Sequence, residues 1–115
     1  MVQAGSEYPC LSPIVTSGGR SGVLHSTHKR FELGVGDSVL LEIGGCYQRY
    51  SAPQMRTVAI GKPTDEVRRA ADACIMALSA VLGAVRPGAL ASDVAEVGWR
   101  ELAAAGDDLV FHGNF

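Results

Sequence analysis

Gly36-Asp37-Ser38-Val39-Leu40-Leu41-Glu42-Ile43-Gly44-Gly45-Cys46-Tyr47-Gln48-Arg49-Tyr50 is the stretch that decides how this chain folds. From Asp37 on, Val39, Leu41 and Ile43 alternate with Ser38, Leu40 and Glu42, the period of two that belongs to a strand. Gly44-Gly45 predicts a tight hairpin turn, because glycine accepts positive φ at both central positions. Cys46 to Tyr50 then forms the return strand, and Arg56 to Ile60 a third short strand after a break at Pro53. Upstream, residues 1–12 read as irregular, Pro13 to Thr16 as a short strand and Gly18 to His28 as a loop rich in glycine and serine.

Downstream the period changes to that of a helix. Thr64 offers a hydroxyl cap, and Asp65 and Glu66 face the positive end of the dipole. Val67, Ala71, Cys74, Leu78, Val81, Leu82 and Val85 fall on one stripe, and Pro87-Gly88 ends the helix. Ser92-Asp93 predicts the cap of a second helix with Val94, Val97, Leu102 and Ala105 on its inner side, closed by Gly106. Leu109-Val110-Phe111 predicts the start of a further strand.

At 115 residues the chain is one domain at most. Its hydrophobic fraction of 47% and net charge of −2 describe an ordinary soluble protein and suggest no nucleic-acid partner or acidic membrane. The longest apolar stretch, Ala73 to Val85, is too short for a bilayer span of roughly 20 residues. Cys10, Cys46 and Cys74 are odd in number and match no zinc spacing, and Met1 to Glu7 has neither a basic start nor an apolar run. The expected location is cytoplasmic. The glycines Gly18, Gly19 and Gly22 stand in no phosphate-binding pattern.

Ser17-Gly18-Gly19-Arg20-Ser21-Gly22-Val23-Leu24-His25, followed by Gly36-Asp37, Glu42 and Arg56-Thr57, resembles the framework of metallopeptidase family M24, which includes creatinase, prolidase, aminopeptidase P and methionine aminopeptidase. In that family a Ser-Gly turn leads to a catalytic His, and two metal-binding Asp residues follow ahead of an Arg-Thr pair. Glu42 stands where the first Asp would be. Pro53, 11 residues on, stands where the second would be. Proline has no ligand atom, so a two-metal site cannot form there in the usual way. The resemblance covers roughly residues 5–115. It implies an α/β (α+β) chain with part of the pita-bread fold, an antiparallel β-hairpin sheet covered by two helices. Residues 1–115 would then be a partial M24 catalytic domain, truncated at both ends. The family's remaining metal-binding His and two Glu come from strands beyond this C-terminus, and His112 sits about where the His segment begins. An uncovered apolar face on the first helix is expected to make the isolated chain associate or dissolve poorly.

The run Leu41-Glu42-Ile43-Gly44-Gly45-Cys46-Tyr47-Gln48-Arg49-Tyr50-Ser51-Ala52-Pro53 is similar to that of one metal-poor branch of the family, ectoine hydrolase and its relatives. The implied reaction is the hydrolytic ring-opening of a cyclic amidine. An amidine carbon is already electrophilic, so no metal or other cofactor is expected. Glu42, flanked by Leu40 and Leu41, reads as a covered carboxylate that acts as nucleophile or general base. His25 would move the proton. His28 has no family counterpart and reads as solvent-facing. Arg49 and Arg56 are open to two uses, holding a substrate carboxylate or pairing with Glu42, and Tyr50 is placed with them at the substrate. The expected partner is a small-molecule substrate, with a homodimer in the full-length form. A metal-dependent Xaa-Pro dipeptidase or aminopeptidase is the alternative activity. An inactive remnant or interaction module is the alternative without chemistry.

Overall fold

The computed structural model describes residues 1–23, 25–106, 108 and 109. It is a mixed α/β chain in two compact units, Met1–Pro63 and Thr64–Phe115. The first unit holds one antiparallel sheet of four strands, β1 (Tyr8–Pro9), β2 (Ile14–Ser17), β3 (Ser38–Tyr47) and β4 (Tyr50–Ala59). The second holds two helices, α1 (Asp65–Ala84) and α2 (Ala91–Ala104).

β3 is the central strand. β4 pairs along one side of it from Tyr47↔Tyr50 to Ser38↔Ala59. On the other side β2 pairs from Ile14↔Glu42 to Ser17↔Val39, and β1 pairs Tyr8↔Cys46 and Pro9↔Gly45. The hairpin is longer than the sequence predicts, and its turn lies elsewhere. Gly44 and Gly45 sit inside β3, and the turn is Gln48-Arg49, with φ of 48° and 72°. Both residues carry a side chain in the left-handed region, the conformation a two-residue turn needs to match the strand twist. The Gln48 N–H is held by the Glu7 carboxylate at 3.2 Å, which helps this turn to form. Replacing the pair by Asn-Gly is expected to stabilise the protein by roughly 1 kcal/mol, since β-carbon crowding in that region is relieved. An unchanged or lower denaturant midpoint would contradict this.

Gly44 serves a close approach instead of a turn. A Cβ there would lie 2.2 Å from Cys10 Sγ and 3.0 Å from Pro53 Cα. The chain leaving β1 crosses over this bare patch of strand, and the Cys10 N–H donates to the Gly44 carbonyl at 2.9 Å.

Pro53 does not break the strand, contrary to expectation. It pairs with Gly44 in the middle of β4. The Gly44 and Cys46 carbonyls accept from Cys10 and Glu7 on the β1 side. In an antiparallel ladder such groups alternate sides, so the nitrogen of Pro53 points to the outer edge of β4, where no ladder bond is lost. At the far end of the hairpin the Asp37 carboxylate accepts from the Gly34 N–H at 2.8 Å, and Gly36 (φ 99°) donates to the Ile60 carbonyl. Asp37 therefore closes a turn.

The helix start is as read from the sequence. The Thr64 side chain accepts from the Val67 N–H at 3.2 Å, and Asp65 and Glu66 occupy the first turn. The stripe is not. The buried residues of α1 are Ala73 and Ala77, and that of α2 is Gly98. Small side chains let two helices come close, and α1 and α2 pack on each other. Leu78, Leu82 and Val85 are instead exposed, at 54%, 65% and 62%. On α2, Val94, Val97, Leu102 and Ala105 lie half-buried, as expected. Ser92-Asp93 does not form the cap. The cap residue is Leu90, with no side-chain bond, and Ser92 and Asp93 fall within the first turn. Arg69 binds the Asp108 carboxylate, with one bond of 2.9 Å, and this hydrogen bond holds Asp108 below the usual carboxylate range. The strand expected at Leu109-Val110-Phe111 falls largely outside the described residues, as does His112.

Candidate functional site

Position on the sheet decides which of the expected residues can act together. β3 and β4 are joined by two residues, so an even-numbered position of one faces an odd-numbered position of the other. Leu40, Glu42 and Gly44 share a face with Pro53, Met55 and Thr57. Glu42 stands at the centre of that face, half-buried, between Ile14 of β2 and Met55 of β4. Pro53 is its diagonal neighbour, about 7 Å away in such a ladder. Its cross-strand neighbours are both apolar, and the carboxylate that the sequence reads as covered is half-buried.

The loop before β3 comes back over the same face. A cleft of about 510 Å³ is lined by Glu42, Ile14, His25, Ser26, Thr27 and His28, with Leu11 to Pro13 at its margin. His25 is exposed and lies at φ 52°. A non-glycine residue in that region is uncommon and tends to mark a turn or a working site. The loop is pinned from behind, because Arg20 Nη2 donates to the Thr27 carbonyl at 3.0 Å. The Ser26 Oγ is out of solvent with no hydrogen-bond partner.

The structure thus brings Glu42 and His25 to one cleft, and His28, exposed as the sequence predicts, also borders it. It does not bring Arg49, Tyr50 or Arg56 there. Arg56 pairs with Leu41, on the opposite face, and its guanidinium donates to Gln54 Oε1 at 2.8 Å and to the Met55 carbonyl at 2.7 Å. An ion pair with Glu42 is ruled out by that geometry. Arg49 sits in the turn, five strand residues past Glu42 and then two more, roughly 17 Å of strand alone. It lies by the Tyr8 hydroxyl, whose pKa is raised chiefly by its bond to the Cys46 side chain while Arg49 lowers it. Tyr50 is 84% exposed at the hairpin end and with Arg56 borders a separate, mostly apolar hollow on the other face. The parity of a two-residue hairpin carried this signal. Once the strand is read through Pro53, Arg56 cannot share a face with Glu42.

For a two-metal centre of the kind the family framework implies, the donor set on this sheet is incomplete. Glu42 is a ligand type, but its diagonal partner Pro53 has no donor atom, and Met55 and Ile14 supply no oxygen. No group of three His, Cys, Asp or Glu side chains that could hold a metal gathers among the described residues. The residues of this chain do not fit a carboxylate-bridged pair of ions. The cleft can instead offer one carboxylate and two imidazoles to an organic substrate.

Comparison with known proteins agrees with the hairpin framework. The model of metallopeptidase family M24 matches residues 1–114. An uncharacterised hydrolase/peptidase of Sinorhizobium fredii is 37% identical over 88% of this chain and 24% of its own length. The ectoine hydrolase of Halomonas elongata is 33% identical over 79% of this chain and 23% of its own. The X-Pro aminopeptidase structure from Thermotoga maritima superposes with a TM-score of 0.80 at 27% identity, over 91% of this chain and 30% of that one. The chain thus spans about a quarter of the length of the curated relatives it matches.

Proposed function

The chain belongs to metallopeptidase family M24, and from that premise we propose that the whole protein is a hydrolase that opens a cyclic amidine, with Glu42 as its reacting carboxylate. One observation carries the reading. Glu42 lines the cleft, while the position diagonal to it, where a metal-bridging carboxylate would stand, is Pro53. The likeness to an ectoine hydrolase supports the same substrate class. No cofactor is required in this reading. No helix among the described residues is long and apolar enough to cross a membrane, and three cysteines without a metal spacing suit a cytoplasmic location. A homodimer is proposed for the full-length form.

The steps follow from the groups present. A protonated amidine carries its positive charge across two nitrogens and the carbon between them. The Glu42 carboxylate attracts that cation and takes a proton from water as the water oxygen adds to the carbon; where the carboxylate itself adds, water afterwards cleaves the Glu42–carbon bond and supplies the same amide oxygen. Addition leaves a tetrahedral carbon bearing two amines. Collapse expels one ring nitrogen, which must be protonated to leave. His25, bordering the same cleft, supplies that proton, a role suited to an imidazole. The products are an amide and a free amine on one open chain. Ile14, Leu11 and Pro13 give the cleft an apolar side, which strengthens the attraction of carboxylate for amidinium.

A metal-dependent Xaa-Pro peptidase is the second reading, and the family likeness to an X-Pro aminopeptidase favours it. The two differ in a simple experiment. Full-length protein purified without chelator is expected to carry less than one equivalent of Mn, Zn or Co per chain by elemental analysis, and to open ectoine in preference to a Xaa-Pro dipeptide. Two equivalents of metal, with peptidase activity that chelation removes, would favour the peptidase.

A further inference from the structure

We propose that His28 binds the carboxylate of the substrate in the Glu42 cleft, a role that rests on the amidine reading and names the part of the substrate that is recognised. A cyclic amidine acid has two charged ends. Glu42 attracts the cationic ring, and the anionic end needs a donor on the same side of the sheet. The two arginines that would serve best lie elsewhere. Arg56 is on the opposite face, engaged with Gln54, and Arg49 is at the hairpin turn.

Within the cleft, the described side chains that can donate to an anion come from one short loop, His25 to His28, and from Ser12. The left-handed residue His25 turns this loop so that both imidazoles border the cleft. Arg20 fixes the loop through the Thr27 carbonyl, so His28 is held next to an anchored peptide group. Ser26 supplies an independent pointer. Its Oγ is shut off from solvent without a partner, and a buried hydroxyl of this kind is normally satisfied. A carboxylate oxygen in the cleft would accept from it while the other oxygen accepts from an N–H of His28. An imidazole has an N–H to give whether neutral or charged. His25 is left for the departing nitrogen, and the two histidines divide binding from proton transfer.

The test uses the full-length protein with ectoine and with the same ring lacking its carboxylate. His28→Ala is expected to raise KM for ectoine roughly tenfold with kcat within about twofold, the pattern of lost uniform binding. His28→Gln keeps an N–H and should recover most of that loss. On the ring without a carboxylate, wild type and His28→Ala should behave alike. His28 is exposed, so its replacement should leave the fold intact, which circular dichroism checks. If wild type opens ectoine and His28→Ala leaves KM within twofold, the role of His28 is wrong and the Glu42 reading stands. A wild type that opens neither ring overturns both.

Discussion

Glu42→Gln in the full-length protein is expected to lower turnover at least ~100-fold, the lower end for removing an acid–base or nucleophilic group, with the melting temperature near that of wild type. The substitution keeps the shape of the side chain and removes its charge. In the sheet Glu42 is flanked by Ile14 and Met55 and pairs with neither Arg49 nor Arg56. Since no ion pair with either arginine is lost, stability should hardly move. If Glu42 were instead a structural group, the order of effects would reverse, with a lower melting temperature and nearly unchanged turnover per folded molecule. His25→Ala should lower turnover less, because water can relay a proton to the departing nitrogen.

Gly44→Ala is expected to destabilise the protein by roughly 1–3 kcal/mol, the range for forcing one extra carbon into a packed site. The new Cβ would meet Cys10 Sγ at 2.2 Å, Pro53 Cα at 3.0 Å and Leu11 Cδ2 at 3.1 Å. The first of these can rotate away, and the second is backbone and cannot. Cys10→Ala in the same chain should therefore restore part of the loss and leave a remainder owed to Pro53. Leu11 borders the Glu42 cleft, so the substitution should raise KM as well. A thermal melt showing Gly44→Ala as stable as wild type would contradict the close crossing of the β1–β2 segment over β3.

These two positions also show where the sequence was legible. The alternation from Ser38 to Ile43 gave the strand and put Glu42 on its proper face. The hydroxyl and acids of Thr64-Asp65-Glu66 marked the helix start to the residue. The turn was misplaced because glycines are the residues that tolerate left-handed φ, whereas this chain bends at Gln48-Arg49 and needs its glycine for clearance. Pro53 looked like a break because the missing N–H matters only on the inner side of a strand, and which side that is depends on the register. The helix stripe was read from large side chains, whereas the buried positions are alanines and a glycine. His28 carried no motif at all. It belongs to the cleft because a loop anchored by Arg20 folds back over β3, a placement no local pattern encodes.

The central claim, that a single carboxylate does the work where a metal pair would otherwise be held, is tested most directly by turnover of metal-stripped protein. Full-length wild type, dialysed against chelator and checked by elemental analysis, should open ectoine at the rate of the undialysed protein, and added Mn, Zn or Co should not raise that rate. Loss of activity on stripping, restored by about two equivalents of one of these ions, would contradict the account.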